Sequence, residues 1–234
     1  MKINKNYKFT EFNEKTISVF KAIKNETYSN EKDFVIPVAN GKEKVANLRP
    51  ITKRYLEDTE ENIEIIKLLA EWRETNQEWF DMFNVSVEGT KEWLKKNVID
   101  IENRILFLVE TTDGNPFGHM GLFRGEADNF IRGRNDLIKG GMTSALKTML
   151  SWAFAELELN ELYLRVFSDN KKAIAYYERC GFKQIGLIPL RKIEKAEITR
   201  WEAIEEGDKK EADRYFSLMK SKNPNSNKIV IQEK

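Results

Sequence analysis

A few residues in this chain have side chains of the type and spacing that could do chemistry. Glu126 and Asp128 stand two apart in the run Glu126 to Arg134, which reads as a strand, so both carboxylates leave the same sheet face. Either could accept a proton, directly or through water, or be a solvated polar group. His119 is the only histidine and has the unperturbed pKa of a general base, although it also reads as a satisfied polar residue in a strand. Gly140-Gly141 precedes a helical run. Free N–H groups at such a helix start, with the helix dipole behind them, attract phosphate, while a glycine pair there is also ordinary turn chemistry. Tyr177, taken alone, reads as a core aromatic. Cys180, the only cysteine, reads as a small buried side chain at a helix end.

The elements that must position these residues follow from periodicity. Met142, Leu146, Met149, Leu150, Ala153, Phe154 and Leu157 recur at helical spacing and give one apolar face that can lie on a sheet. Glu161 to Phe167 is a β-rich run, apolar on both parities, as in a strand covered on both sides. A second helix runs from Asn170 to Cys180 and ends at Gly181, where a left-handed residue can close it. Glycine loop, helix, buried strand and helix form an anion-binding end presented at a sheet.

Upstream, Arg104 to Glu110 and Pro116 to Arg124 read as strands joined by the turn at Asp113-Gly114. Asp58 or Thr59 caps a helix carrying Ile63, Ile65, Ile66, Leu69 and Trp72, and a short helix holds Trp93 and Leu94. Trp72, Trp79, Phe80, Met82 and Phe83 between them serve either the core or the wall of an acceptor site. Before these, Glu11 to Lys24 predicts a helix. Asp33 to Pro50 predicts a hairpin turning at Asn40-Gly41, with Pro37 on an edge. Phe182 to Glu206 predicts two further strands, and Ala212 to Met219 a short helix before a frayed end.

The segment from Asn170 to Phe182 reads N-x-x-A-x-x-x-Y-E-x-x-G-F and closely resembles the corresponding segment of the GCN5-related N-acetyltransferase (GNAT) superfamily. Gly140-Gly141-Met142-Thr143 sits where that family has its pyrophosphate loop, one helix and one strand upstream. The family loop usually reads Gln/Arg-x-x-Gly-x-Gly/Ala, whereas here Ile138 stands three residues before Gly141 and Thr143 fills the last small position.

The resemblance covers about residues 45 to 206. It implies an α+β, α/β/α-layered GNAT fold. Its mixed, mostly antiparallel sheet of about six or seven strands is splayed at strands four and five, with helices on both faces. It implies three regions: an extension over 1–44 (helix plus edge strand), the acetyltransferase domain over 45–206 and a charged tail over 207–234. For the extension three roles are open: packing on the core, covering the acceptor cleft or mediating dimers.

The implied cofactor is acetyl-CoA, released as CoA, and the implied reaction is direct attack of a primary amine on the thioester. The cofactor-binding residues would be Phe130, Ile131, Arg132, Arg134, Lys139, Gly140, Gly141, Met142, Thr143, Asn170, Ala173 and Tyr177. Tyr177 matches the family tyrosine that protonates the departing sulfur, a role suited to a phenol protonated at neutral pH. Glu126, Asp128 and His119, in that order, are the candidate bases. The runs 128–133 and 164–170 resemble members acting in bacterial amino-sugar and surface-polysaccharide synthesis, so the expected acceptor is a nucleotide-linked amino sugar. Arg49, Arg132, Arg134 and Arg165 could help to hold its diphosphate. The alternatives are a protein or peptide N-acetyltransferase, transfer of an acyl group other than acetyl, and a non-catalytic acyl-CoA-binding interaction module.

Composition sets the remaining bounds. The chain has 234 residues, 41% of them hydrophobic, enough for one substantial core. With 39 basic and 38 acidic residues the net charge is +1, which argues against a nucleic-acid or membrane partner. One cysteine and one histidine exclude an intrachain disulfide and argue against a zinc site. No apolar run is long enough for a membrane helix and the first residues lack an apolar signal region, so a soluble cytoplasmic protein is expected. The remaining candidate partner is a second copy of the chain, in a homodimer.

Overall fold

A computed structural model describes residues 11–29, 33–81, 85–195, 198–204 and 212–226. They form nine strands in one sheet of order β1-β2-β3-β4-β5-β6-β9-β7-β8. The strands are β1 (Ile36–Asn40), β2 (Glu43–Pro50), β3 (Arg104–Thr111), β4 (Pro116–Phe123), β5 (Glu126–Arg132), β6 (Glu161–Phe167), β7 (Lys183–Lys195), β8 (Ile198–Ala203) and β9 (Arg214–Lys222). The helices are α1 (Glu14–Lys24), α2 (Glu60–Thr75), α3 (Val87–Leu94), α4 (Gly141–Glu156) and α5 (Lys171–Arg179). Every neighbouring pair is antiparallel except β5 and β6, which are parallel.

The period of two in β3 builds both cores. Ile105, Phe107 and Val109 leave one face and join Phe20 and Ile23 of α1, Leu146 and Met149 of α4, and Tyr177 of α5. Leu106 and Leu108 leave the other face and meet Ile66, Leu69 and Trp72 of α2 and Leu94 of α3. Helices therefore cover both faces, as expected from a strand without a polar parity. Pro37 lies on the edge strand β1, and Gly41 takes the left-handed turn position at φ +65°.

The described part of the N-terminal extension packs on the core and contributes no residue to the cavity described below. The ammonium of Lys24, at the end of α1, is buried and donates to the carbonyls of Val98, Ile99 and Ile101 beyond α3. That burial lowers its pKa to about 8.

At the C-terminal end the expected helix at 212–219 is instead β9, which lies between β6 and β7 and pairs with each along its length. Long-range pairing overrides helix propensity here, because a strand inserted between two others satisfies both backbone edges and buries Leu218 and Met219. This strand, with the edge strand β1, takes the sheet to nine strands rather than six or seven. Of the sequence expectations, Met82 and Phe83 and the end of the tail at 227–234 lie outside the described residues.

Candidate functional site

The sheet parts at its centre. β5 and β6 share one register pair, Glu126 with Tyr163, and beyond it the β6-facing backbone edge of β5 has no strand partner among the described residues. The parting begins where β4 and β5 lose register between His119 and Gly121 and Asn129 turns left-handed at φ +53°. His119 Nδ1 lies 2.7 Å from the Asn129 carbonyl and donates to it, holding this residue, of a type that tolerates such a φ. A cavity of about 1410 Å³ opens from the gap.

One end of the cavity is made largely of backbone. Helices α1, α2, α3 and α5 each begin with a side-chain cap, from Asn13, Thr59, Ser86 and Asn170. Helix α4 is preceded by Gly140, at φ +78°, and has no side-chain cap. Its first intrahelical bond runs from Ser144 N–H to the Gly140 carbonyl and Gly141 N–H donates to Ile138, so the N–H groups of Met142 and Thr143 are left for another acceptor. Lys139, Gly140, Met142 and Thr143 line the cavity with Arg132, and Lys172 and Arg179 add positive charge from α5. Gly141 does not line it. A Cβ there would stand 3.0 Å from both Ile138 and Phe117, so this glycine lets the helix start pack on the strand beneath. Arg134 is also outside the lining and pairs with Asp136 at 2.8 Å. Phe130, Ile131, Asn170 and Ala173 do line it.

Tyr177 stands beside this end. Its ring is buried edge-to-face against Phe130, at 5.3 Å between centroids, and lines the cavity. Burial pushes its phenol pKa up, with Cys180 and Asp128 beside it pushing the same way, so the hydroxyl keeps its proton at neutral pH. The Tyr176 hydroxyl instead donates to the Met142 carbonyl at 2.8 Å, tying α5 to the start of α4.

The other end is made of side chains. The parity of β5 brings Glu126 and Asp128 to the cavity together. Glu126 accepts two bonds from Arg165, at 2.7 and 2.8 Å. Burial nonetheless raises its pKa to about 7, with Arg165 opposing. Asp128 accepts from Arg104 at 2.6 Å, and burial pushes its carboxyl up from its ordinary value while Arg104 and Arg165 hold it down. His119 is 4% exposed and stacks with Trp72, its ring centroid 6.3 Å away. Burial, aided by the charges of Arg73 and Arg104, lowers its pKa to about 4, so it is neutral at physiological pH. With one nitrogen committed to Asn129, its geometry is that of a residue that shapes β5.

Aromatic rings wall this end: Trp79, Phe80, Trp93, Phe123, Phe167, Trp201 and Phe216. Two of its walls are joined. Trp201 N–H donates to Asp81 Oδ1 and Arg214 donates to the Glu78 carbonyl, each at 3.3 Å. The Arg214 guanidinium lies 3.6 Å from the Phe167 ring centroid and 5.3 Å from those of Trp79 and Trp201.

Sequence reasoning did not find Arg104, Trp201 or Phe216. Arg104 reads as a strand boundary, and the other two come from the hairpin and the last strand, whose positions depend on long-range pairing. Arg165 carried a signal, as a charge set between apolar residues in the middle of β6 implies a partner. Arg49, by contrast, belongs elsewhere and pairs with Glu110 across β2 and β3.

Comparisons with known proteins agree with this architecture. Residues 47–183 match the acetyltransferase (GNAT) domain model. Over 114 residues the chain is 29% identical to the spermidine N(1)-acetyltransferase of Vibrio cholerae, a match covering 46% of this chain and 65%, just under two thirds, of that enzyme. Among solved structures, a chimera of the Vibrio cholerae spermidine N-acetyltransferase SpeG with hSSAT superposes with a TM-score of 0.52 at 22% identity, covering 76% of this chain and 94% of that one. The ribosomal L7/L12 α-N-protein acetyltransferase RimL in complex with coenzyme A gives 0.54 at 12% identity, covering 81% and 98%. At these identities the two structures speak for the shared fold.

Proposed function

This chain belongs to the acetyltransferase (GNAT) domain family, and on that premise we propose that it is an acetyl-CoA-dependent N-acetyltransferase acting on the primary amine of a small molecule. The observation that carries the reading is the gap between β5 and β6, with the uncapped start of α4 at one side and the Tyr177 ring at the other. Such a gap suits the cofactor because its unpaired β5 edge offers N–H and C=O groups to an amide-bearing arm, and the free N–H groups of Met142 and Thr143 suit phosphate. Lys139, Arg132 and Lys172 add charge of the right sign. When bound, acetyl-CoA supplies the acetyl group as a thioester.

The chain's own groups then have separable tasks. Glu126, with its pKa near neutrality, takes the proton of the acceptor amine. Asp128 is held by Arg104 and orients the acceptor. Tyr177 holds a proton at its hydroxyl for the departing sulfur. His119 keeps Asn129 turned, so that the β5 backbone faces the gap.

A small acceptor is favoured over a protein chain end. The bonds from Trp201 to Asp81 and from Arg214 to Glu78 tie two walls of the aromatic chamber together, where a polypeptide acceptor needs an open groove. An amino sugar fits such a chamber, because apolar sugar faces stack on aromatic rings while carboxylate and arginine meet hydroxyls. A polyamine is the competing small acceptor, suggested by the spermidine acetyltransferase relative.

The test is incubation of the full chain with acetyl-CoA and a panel of amino sugars, polyamines and peptides, reading thiol release together with the acetylated product by mass spectrometry. Small-amine acetylation is expected. Acetyl-CoA binding without any acetylated product would instead favour a non-catalytic acyl-CoA-binding module.

A further inference from the structure

The carboxylates of the acceptor chamber already have partners. Among the described residues that line the cavity they are Asp81, Glu126 and Asp128. Glu126 is held in a fork by Arg165, Asp128 by Arg104, and Asp81 accepts the Trp201 N–H. Arg104 is also fixed by stacking. Its guanidinium lies 5.4 Å from the Trp93 ring centroid and 4.5 Å from that of Phe123. An arginine both stacked and paired is costly to displace, since its planar fork loses a bond and a ring face together. Arg73 lines the same chamber with its guanidinium 4.0 Å from the Phe80 ring centroid.

Among the described residues, this end of the cavity therefore sets Arg73, Arg104 and Arg165 against Asp81, Glu126 and Asp128. One incoming ammonium can be accommodated, because its proton passes to Glu126. Among the described residues a second or third ammonium finds only the exposed Asp81, which accepts a neutral N–H, and at Glu126 and Asp128 it must either sit near like charges in a partly desolvated space or break an existing ion pair. A neutral remainder meets neither obstacle and suits the aromatic walls, and an anionic one can pair with an arginine such as Arg73.

We propose that Arg104 and Arg165 determine acceptor selectivity: by neutralising Asp128 and Glu126 from within the chain they exclude polyamines, and the chamber takes a monoamine whose remainder is uncharged or anionic. The inference rests on the N-acetyltransferase reading above and sharpens it, with Arg104 and Arg165 as the specificity-determining residues.

The experiment compares three acceptors of one chain length, an unbranched diamine, the matching amino alcohol and the matching ω-amino acid, with spermidine and glucosamine alongside. Wild-type kcat/KM for the amino alcohol and the ω-amino acid is expected to exceed that for the diamine by about tenfold or more, since selectivity is a ratio of kcat/KM values. Arg104→Gln, which frees Asp128, should shrink that ratio by about fivefold, and Arg104→Lys should restore most of it. A variant that lowers all three rates equally would show Arg104 to be structural and overturn its role. A wild-type enzyme that prefers the diamine or spermidine would overturn the inference and leave acetyl transfer standing. No turnover of any amine by protein that binds acetyl-CoA would instead sink the N-acetyltransferase reading and this inference with it. Should Arg104→Gln fail to fold, the wild-type ratio decides alone.

Discussion

The two ends of the cavity are built from different materials. At the α4 end the binding groups are backbone: the N–H groups of Met142 and Thr143, freed because Gly140 brings no capping side chain, and the unpaired edge of β5. At the acceptor end they are side chains from far-apart segments, with Arg104 from β3 paired to Asp128 on β5, Arg165 from β6 paired to Glu126, and Trp201 from β8 bonded to Asp81. Backbone recognition suits a ligand that is always the same, since nearly any side chains tolerate it. Recognition by paired charges can be retuned by one substitution, and so suits a ligand that differs between relatives. Tyr177 borders the α4 end and Glu126 belongs to the acceptor end, and as the proposed acid and base they should show the largest effects on substitution.

Tyr177→Phe is expected to give the largest loss, about a hundredfold or more in kcat, from removal of the proton donor. The Kd for acetyl-CoA should change little, because the ring contacts with Phe130 and Phe182 are kept. Stopped-flow turnover beside calorimetric titration separates the two quantities, and an unchanged kcat would remove Tyr177 from the chemistry. Glu126→Gln should cost somewhat less, about a hundredfold at most if water can take over as base. Its diagnostic is the pH profile. A base with a pKa near 7 must be ionised to work, so wild-type kcat/KM should rise with pH up to about 7 and then level off. In Glu126→Gln that acid limb should disappear. A limb that persists unchanged would pass the role to Asp128.

The same contrast governs what the sequence revealed. Caps and turns were legible because they are local. Asn170 accepts from Ala173 N–H at 3.1 Å, and Gly181 closes α5 at φ +97°, both within one helix. The buried strands were legible because both parities are apolar. β9 was not, since Arg214 to Lys222 becomes a strand only through partners some fifty residues upstream in β6 and about thirty in β7. The Arg104–Asp128 pair was hidden for a related reason. It forms across β4 near Gly121, which faces Leu106 on one side and Asp128 on the other and has no side chain to intervene. No spacing along the chain encodes that meeting. At the glycine loop, Ile138 and Thr143 depart from the family pattern, yet the start of α4 keeps its uncapped N–H groups, because these depend on Gly140 and the backbone rather than on the replaced side chains.

Lys139→Ala should therefore have the smallest effect, and its smallness is informative. Lys139 is exposed beside Gly140 and lines the cavity with Arg132, Lys172 and Arg179, so its loss removes one of several positive charges and no backbone donor. An exposed charge of this kind contributes about 0.3–1 kcal/mol at low ionic strength, a rise in the Kd for acetyl-CoA of roughly two- to fivefold. That rise should fade as salt approaches about 1 M, where the screening length falls to about 3 Å, whereas the backbone contribution should persist. Titration of wild type and Lys139→Ala at low and high salt measures the difference. A much larger loss, insensitive to salt, would mean that Lys139 makes a buried, specific contact with phosphate. The α4 end would then depend on side chains as the acceptor end does, and the contrast between the two would fail.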